Sequence, residues 1–517
     1  MTHLRPATLL FLFVPYLVFL AGWVQVPWAI AIGALCLWGL RRALLPDRAA
    51  AGEPLAARDL ARAVLPAVLV FAITGVGGWG YQDADWLRGN AVFLSLVEDP
   101  WPVVYETASE PLLLVYYIAF YLPAAAVGKW LGWQAANLTL FLYGLAGISL
   151  AALWVVRLAG VRRWWVVPLF LAFSGMDAVG TGLRSLFEAL SGDPEPRPWR
   201  YLEWWVGYGV ACLPSHLNLL VFAPKQALPG WLLTALVVQD ARERRLPGSA
   251  VLYGGLSTLW APFVTLGLVP FVGVLVGREL WRDRRPAALL TGANLAGLAL
   301  GLVAAAYFAT RFHPYVSPID TSGLYQEVLT LSLFRRGPAF LVLYPLFVAL
   351  EFGLLHALLY GVWWRERSLM DEPLRVLFVT STVVLCVLPW INLGWNNDLV
   401  MRACIPMLFV TALVTIRALG RVPPQPDALR RRLTRGIVAV LVIGAVNTAV
   451  IAGRHVQGIV AQGSLVSVPE PAKVLDLFEL QEQRYMEIGF NFVGQYLGSP
   501  ESPVARHFLA APPGADR

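Results

Sequence analysis

Long apolar runs recur along this chain too often for a soluble core, and they restrict it to the membrane. They lie near 6–23, 25–41, 64–80, 135–157, 164–184, 218–240, 287–309, 338–360, 374–393, 399–417 and 435–452. A helix of about 20 residues, rising 1.5 Å per residue, crosses ~30 Å of hydrocarbon. Charged residues make up 14% of the 517, against about 25% in soluble domains. Backbone groups inside a bilayer must satisfy one another, and runs of this length do so as helices. The expected fold is an all-α integral membrane protein. Its residues 1–452 would form a polytopic bundle of roughly 12–14 transmembrane helices, with juxtamembrane helices in the first large outer loop. Residues 453–517 read as a polar tail with one short helix near 470–485. The first run is followed at once by the second, with no small-residue cleavage site, and reads as a retained anchor.

The net charge of +7 does not indicate nucleic acid, because the arginines fall in short loops between apolar runs. Arg41, Arg42, Arg48, Arg58 and Arg62 form one such group, and Arg157, Arg162 and Arg163 a second. Others are Arg242, Arg244 and Arg245, then Arg278, Arg282, Arg284 and Arg285, then Arg365 and Arg367, and the stretch from Arg417 to Arg435. Placed on the cytoplasmic side, they orient a multi-pass membrane protein, expected in a bacterial-type plasma (inner) membrane. Loops 81–133, 184–230 and 310–337, and the tail, then face outward. Residues 111–130 are long enough to span, but crossing there would move later basic clusters outside. That segment is expected to lie at the outer interface or to re-enter, with a true span as the alternative. Residues 250–277 carry no charge and have basic clusters at both ends, so they should enter and return as a short hairpin around Pro262.

Within this apolar frame each carboxylate is costly and therefore informative. Asp83 and Asp85 stand just past the 64–80 run, in Tyr81-Gln-Asp-Ala-Asp-Trp86. There a carboxylate can act as a general base or hold a divalent cation, or simply cap a helix. Asp177 lies between glycines near the outer end of a run, where it should face a cavity, or a cation such as Arg184. The loop containing Glu203, Trp204, His216, Lys225 and Gln226 combines aromatic faces with polar groups, as sites for sugars or lipid headgroups do. An interfacial aromatic belt would explain its tryptophans equally. Asn396, Asn397 and Asp398 can cap the following span, and Arg402, one turn into it, calls for an anionic partner: a lipid-linked phosphate, or Asp177. His313 is a further phosphate candidate, and Glu351 with His356 reads as a buried pair. Cys36, Cys212, Cys386 and Cys404 show no metal-ligand spacing and read as buried thiols. No phosphate-binding loop, nucleophile elbow or dinucleotide fingerprint is present, which argues against nucleotide chemistry.

Many spans, an acidic motif in an early outer loop and Glu110-Pro-Leu-Leu-Leu-Val-Tyr-Tyr117 after it resemble the GT-C superfamily of multi-spanning glycosyltransferases, over residues 64–310. Asp177 is similar to that family's second acidic position. More predicted spans precede the acidic loop than the one the family commonly has, and the tail offers no counterpart to the large soluble domain of many members. The resemblance implies transfer of a sugar from a polyprenyl-phosphate donor to an acceptor on the outer face, with inversion. Asp85 or Asp83 would be the base, Asp177 would assist the acceptor or a metal, and Arg402 or Lys225 would grip the donor phosphate. Neither the sugar nor the acceptor follows from it. A polytopic transporter or lipid flippase is the competing reading.

Overall fold

Seven helices among the described residues are long and apolar enough to cross a bilayer: Leu4–Trp23, Leu122–Ala159, Pro262–Asp283, Gly292–Ala309, Ala339–Arg365, Glu372–Trp390 and Ala428–Gln462. Shorter apolar helices, Val26–Leu40 and Ile405–Gly420, pack with them. The computed structural model describes residues 3–41, 43–44, 56–106, 111–191, 201–206, 210–312, 330–332, 337–393, 397–474 and 496–510. The chain is thus a helical multi-pass membrane protein, though fewer uninterrupted crossings are present than the runs suggest. Several runs are broken part-way, and the breaks build the interior.

The run expected to span over 64–80 is instead a helix from Ala57 to Phe71. Gly75, Gly77, Gly78 and Gly80 then all take positive φ, a region glycine enters without steric cost, and they turn the chain back before Asp83. Helix Ala84–Glu98 follows.

The 111–130 segment is not one helix. Leu112–Leu114 is a strand, paired antiparallel with Val104–Tyr105 on one side and Leu497–Gly498 on the other. Only at Leu122 does a helix begin, and it kinks at Gly132 before running on to Ala159. Trp130 and Leu131, just before the kink, are highly exposed. The segment therefore holds a strand and the first part of a kinked helix rather than one helix of span length. The polar tail is tied to the same surface through Leu497–Gly498.

Residues 250–277, expected as a short hairpin, are two helices separated by a break just before Pro262, and their lengths are unequal. Helix Ala250–Thr258 has 9 residues, whereas Pro262–Asp283 has 22, enough to cross the bilayer on its own. At the break the Tyr16 hydroxyl receives the Leu259 N–H at 3.1 Å and donates to the Gly255 carbonyl. Trp260 Nε1 donates to the Leu12 carbonyl at 3.1 Å. Non-helical backbone is tolerated at membrane depth only when protein groups satisfy it in this way.

The 164–184 run is also discontinuous. Val166–Leu171 is a single short helix, and a new helix starts at Asp177 and runs to Ser191. Across the gap, the Met176 N–H donates to the Leu350 carbonyl at 3.1 Å, and the His216 N–H to the Phe173 carbonyl at 3.0 Å. Leu350 lies in a π-helical turn, Ala349–Gly353, inside the span Ala339–Arg365. Such a turn shifts the i→i−4 ladder and frees carbonyls for outside donors. The final long helix continues to Gln462, so residues 453–462 are helix and not tail. The helix expected over 470–485 lies mostly outside the described residues, as does most of loop 310–337 with His313.

Candidate functional site

Two polar groups occupy this frame, one around Asp85, Lys225 and a stack of tyrosines, the other around Asp177. At the surface, Asp83 caps helix Ala84–Glu98, its carboxylate receiving the Asp85 N–H at 3.1 Å. Asp85 is free of that duty. It pairs with Arg88 at 2.8 Å and is about half exposed. Lys225 opens helix Pro224–Arg242 and donates to the Tyr116 hydroxyl at 2.7 Å. Its ammonium also lies 4.5 Å from the centre of the Tyr116 ring and 5.7 Å from that of Tyr121. Tyr116 stacks on Tyr496 with centroids 4.4 Å apart and on Tyr117 at 5.0 Å. Arg402 and Arg88 act electrostatically on Tyr116, and Arg88 and Lys225 on Tyr496. Three cations from three separate elements therefore lie within electrostatic reach of one stack of tyrosines. Burial pushes the Tyr116 phenol up to about 12 despite them, so it keeps its proton and can donate it.

Arg402 does not pair with Asp177. It bonds Asp398, four residues earlier on the same short helix, and its Nε has no hydrogen-bond partner. Asn397 adopts a left-handed conformation there and bonds the Ile391 carbonyl at 3.0 Å. It holds the turn rather than capping the helix with its side chain. Asn396 and Glu110 lie outside the described residues.

The inner group is centred on Asp177, which is 1% exposed. Its Oδ2 receives Ser174 Oγ at 3.0 Å and Asn447 Nδ2 at 3.3 Å. Its carboxyl also meets that of Glu351. Glu351 Oε1 receives the Trp205 indole N–H at 2.7 Å. Glu203, equally buried, receives the Ser215 N–H and Asn447 Nδ2, both at 2.7 Å, and Asn218 Nδ2 on its other oxygen. Burial, with the charge of Asp177 adding to it, pushes the Glu203 carboxyl up to about 8. The expected Asp177–Arg184 pair is absent, because Arg184 turns to Glu188 at 3.3 Å. A small cavity borders this cluster, walled by Ser174, Gly175, Pro214, Glu351, Leu408 and Thr411 among others.

The two groups are neighbours without touching. Cys404 lies within electrostatic reach of Glu203, Glu351 and Arg402 alike. No hydrogen bond or ion pair among the described residues joins Asp177 to Asp85 or Arg402.

Several sequence candidates thus move. His216 is fully buried among Phe170, Phe173 and Trp231, and its Nδ1–H donates to the Phe170 carbonyl at 2.7 Å. It closes the end of the broken helix and does not face a headgroup. Trp204 is half-buried, and it is its neighbour Trp205 that bonds Glu351. Gln226 is buried with its Oε1 unpartnered. The Glu351–His356 pair does not form, because His356 bonds Thr382 at 2.9 Å and Thr411 at 3.0 Å. Glu351 and Asn447 complete the inner cluster but were absent from the site expected on sequence. The signal for Glu351 was available: an ionisable side chain in mid-span asks for a functional explanation by default. Among the described residues, no group of three His, Cys, Asp or Glu side chains is placed to hold a metal ion.

Set against family models, curated proteins and solved structures, the chain matches none of them.

Proposed function

We propose that this protein is a membrane glycosyltransferase of the kind that takes its sugar from a polyprenyl-phosphate donor at the outer face of the membrane. The observation that carries the reading is the convergence of Arg88, Lys225 and Arg402 on the Tyr116–Tyr496 stack. A phosphate at a membrane boundary wants cations and hydroxyl donors together, and the stacked phenols offer a flat surface to a sugar. Asp85 stands one helical turn from Arg88 and reaches solvent. It would accept the proton of an acceptor hydroxyl as that oxygen bonds the anomeric carbon. The bond from that carbon to the phosphate oxygen breaks at the same time, and its electron pair stays on the phosphate. The nearby cations would stabilise the charge that develops there. Asp83, committed to its cap, has no part in the chemistry.

The test is transfer from a synthetic polyprenyl-phosphate sugar by the purified protein. Asp85→Asn should cost about 10²–10⁴-fold in rate, the usual contribution of a positioned base, while Asp83→Asn keeps the cap and most of the activity. An Asp85→Asn protein as fast as wild type would exclude the assignment. A proton-coupled transporter is the second reading, favoured by the discontinuous helices around the inner carboxyl cluster, since transporters build sites from such helices. It predicts substrate movement across proteoliposomes with no glycosidic bond formed.

A further inference from the structure

The inner cluster presents a problem of charge. Asp177, Glu203 and Glu351 come from three different segments, and all three are buried. Two arginines that the sequence offered as partners are engaged elsewhere among the described residues: Arg184 with Glu188 and Arg402 with Asp398. The donors that do reach the cluster are neutral: Ser174, Trp205, Asn218, Asn447 and the Ser215 N–H. They account for one oxygen of Asp177 and one of Glu351. Asp177 Oδ1 and Glu351 Oε2 are buried and have no donor, yet the two carboxyl groups are in side-chain contact. Two ionised carboxylates have only acceptors to offer each other, and like charges at that range cannot both persist in a medium of low dielectric.

We infer that Asp177 and Glu351 share a bound proton, so that the inner cluster is a proton-binding site set into the break between helices Val166–Leu171 and Asp177–Ser191. The proton joins the Asp177 end of the second helix to the π-helical turn that carries Glu351. Gly175 makes room for it, since a Cβ at that position would come within 2.3 Å of Glu351 Oε2. Among the described residues, the other ionisable groups facing the pair are Glu203 from the loop, Cys212 beside it, and Cys404 from the helix junction. His216 sits on helix His216–Phe222, with its Nε2 buried and unpartnered. Helix Ala428–Gln462 contributes the neutral Asn447. None of these supplies a positive charge that would make the proton unnecessary. Loss of the proton would leave adjacent negative charges that only separation of the two segments relieves. The site would therefore fasten the broken helix at neutral pH and release it in alkali. This holds whether or not a sugar is transferred, because it concerns residues the transfer step does not use.

Infrared difference spectroscopy on the full-length protein in lipid nanodiscs reads the proton directly. Wild type at neutral pH should show, beside the contribution of Glu203, the carbonyl stretch of a protonated carboxyl that is shifted in D₂O and lost as the pH rises; Glu203→Gln should keep this component and Glu351→Gln should lose it. If Glu203→Gln shows no protonated carboxyl at neutral pH, or if Glu351→Gln leaves the spectrum unchanged, the inference is wrong. Thermal unfolding of wild type supplies a second reading that needs no variant. A carboxyl held above its ordinary range gives its full stabilisation below its unfolded pKa and loses it as pH rises through the folded one. Tm should therefore fall on the alkaline side, in sodium and choline buffers alike. A fall abolished by sodium would assign the pair to a metal cation and overturn the proton.

Discussion

Asn447 shows at the scale of one residue how the inner cluster is held. Its single amide nitrogen faces Ser174, Asp177 and Glu203 at 3.0, 3.3 and 2.7 Å, so one –NH₂ group serves two carboxyls at once. Removing it strands acceptors that retain other donors, and each buried group so weakened costs about 1–3 kcal/mol. Replacing the amide by a carboxylate does more harm, because it sets a fourth acid against the three. Asn447→Asp should therefore lower Tm at neutral pH further than Asn447→Ala does, although it conserves volume. The reverse order in detergent-solubilised protein would show that the amide fills space without donating. The same residue marks where sequence reading stops. Asp177 could be singled out because an acid in an apolar run is conspicuous, and Asp85 because it stands beside another acid. Asn447 lies in an ordinary stretch of helix, and its role depends on three segments that only folding brings together. For the same reason Arg402 could be recognised as needing an anion, while Asp398, four residues away, passed for a cap.

The breaks are the informative feature at the scale of elements. Hydropathy located most of the apolar runs, but it could not say which were continuous, because a broken helix is as apolar as a whole one. Pro262 gave the turn of the 250–277 segment away, yet the nine-residue length of its first leg follows from packing. Gly255 lies so close to helix Gly292–Ala309 that a Cβ would sit 2.0 Å from the Gly297 carbonyl oxygen, whereas Gly254 next to it faces open space. Small residues permit such backbone contact between helices in a membrane. Gly255→Ala must therefore push the two helices apart and should cost about 1–3 kcal/mol, as overpacking of a tight contact does. Gly254→Ala, on the same short helix and subject to the same change in helix propensity, should be neutral or slightly stabilising. Thermal unfolding of the two variants side by side separates packing from propensity, and equal Tm values would contradict the close approach.

For the whole molecule, the arrangement depends on which side of the membrane each end of the long final helix occupies. Its 35 residues amount to roughly 52 Å, well beyond the ~30 Å of hydrocarbon, so one end must stand clear of the bilayer. Arg430, near the start, is buried against Glu366 at 2.6 Å, among the arginines that the charge rule places inside. Beyond Gln462, the chain meets the glycine-rich turn that precedes Asp83: the Gly80 N–H donates to the Leu465 carbonyl at 2.8 Å, and the Ser467 N–H to the Gly78 carbonyl at 2.9 Å. The sidedness of residues 464–467 is therefore that of the acidic loop, and with it that of Asp85, Lys225 and the tyrosine stack. Leu290, highly exposed between Pro262–Asp283 and Gly292–Ala309, is placed by the charge rule on the opposite side with Arg282, Arg284 and Arg285. A membrane-impermeant thiol reagent applied to intact cells should label Ser464→Cys and spare Leu290→Cys until the membrane is opened. Cys36, Cys212 and Cys404, being buried, should contribute little background. Labelling of position 290 from outside, with 464 protected, would invert the protein. It would place the cationic basin in the cytoplasm, where a donor presented from the outer leaflet could not reach it.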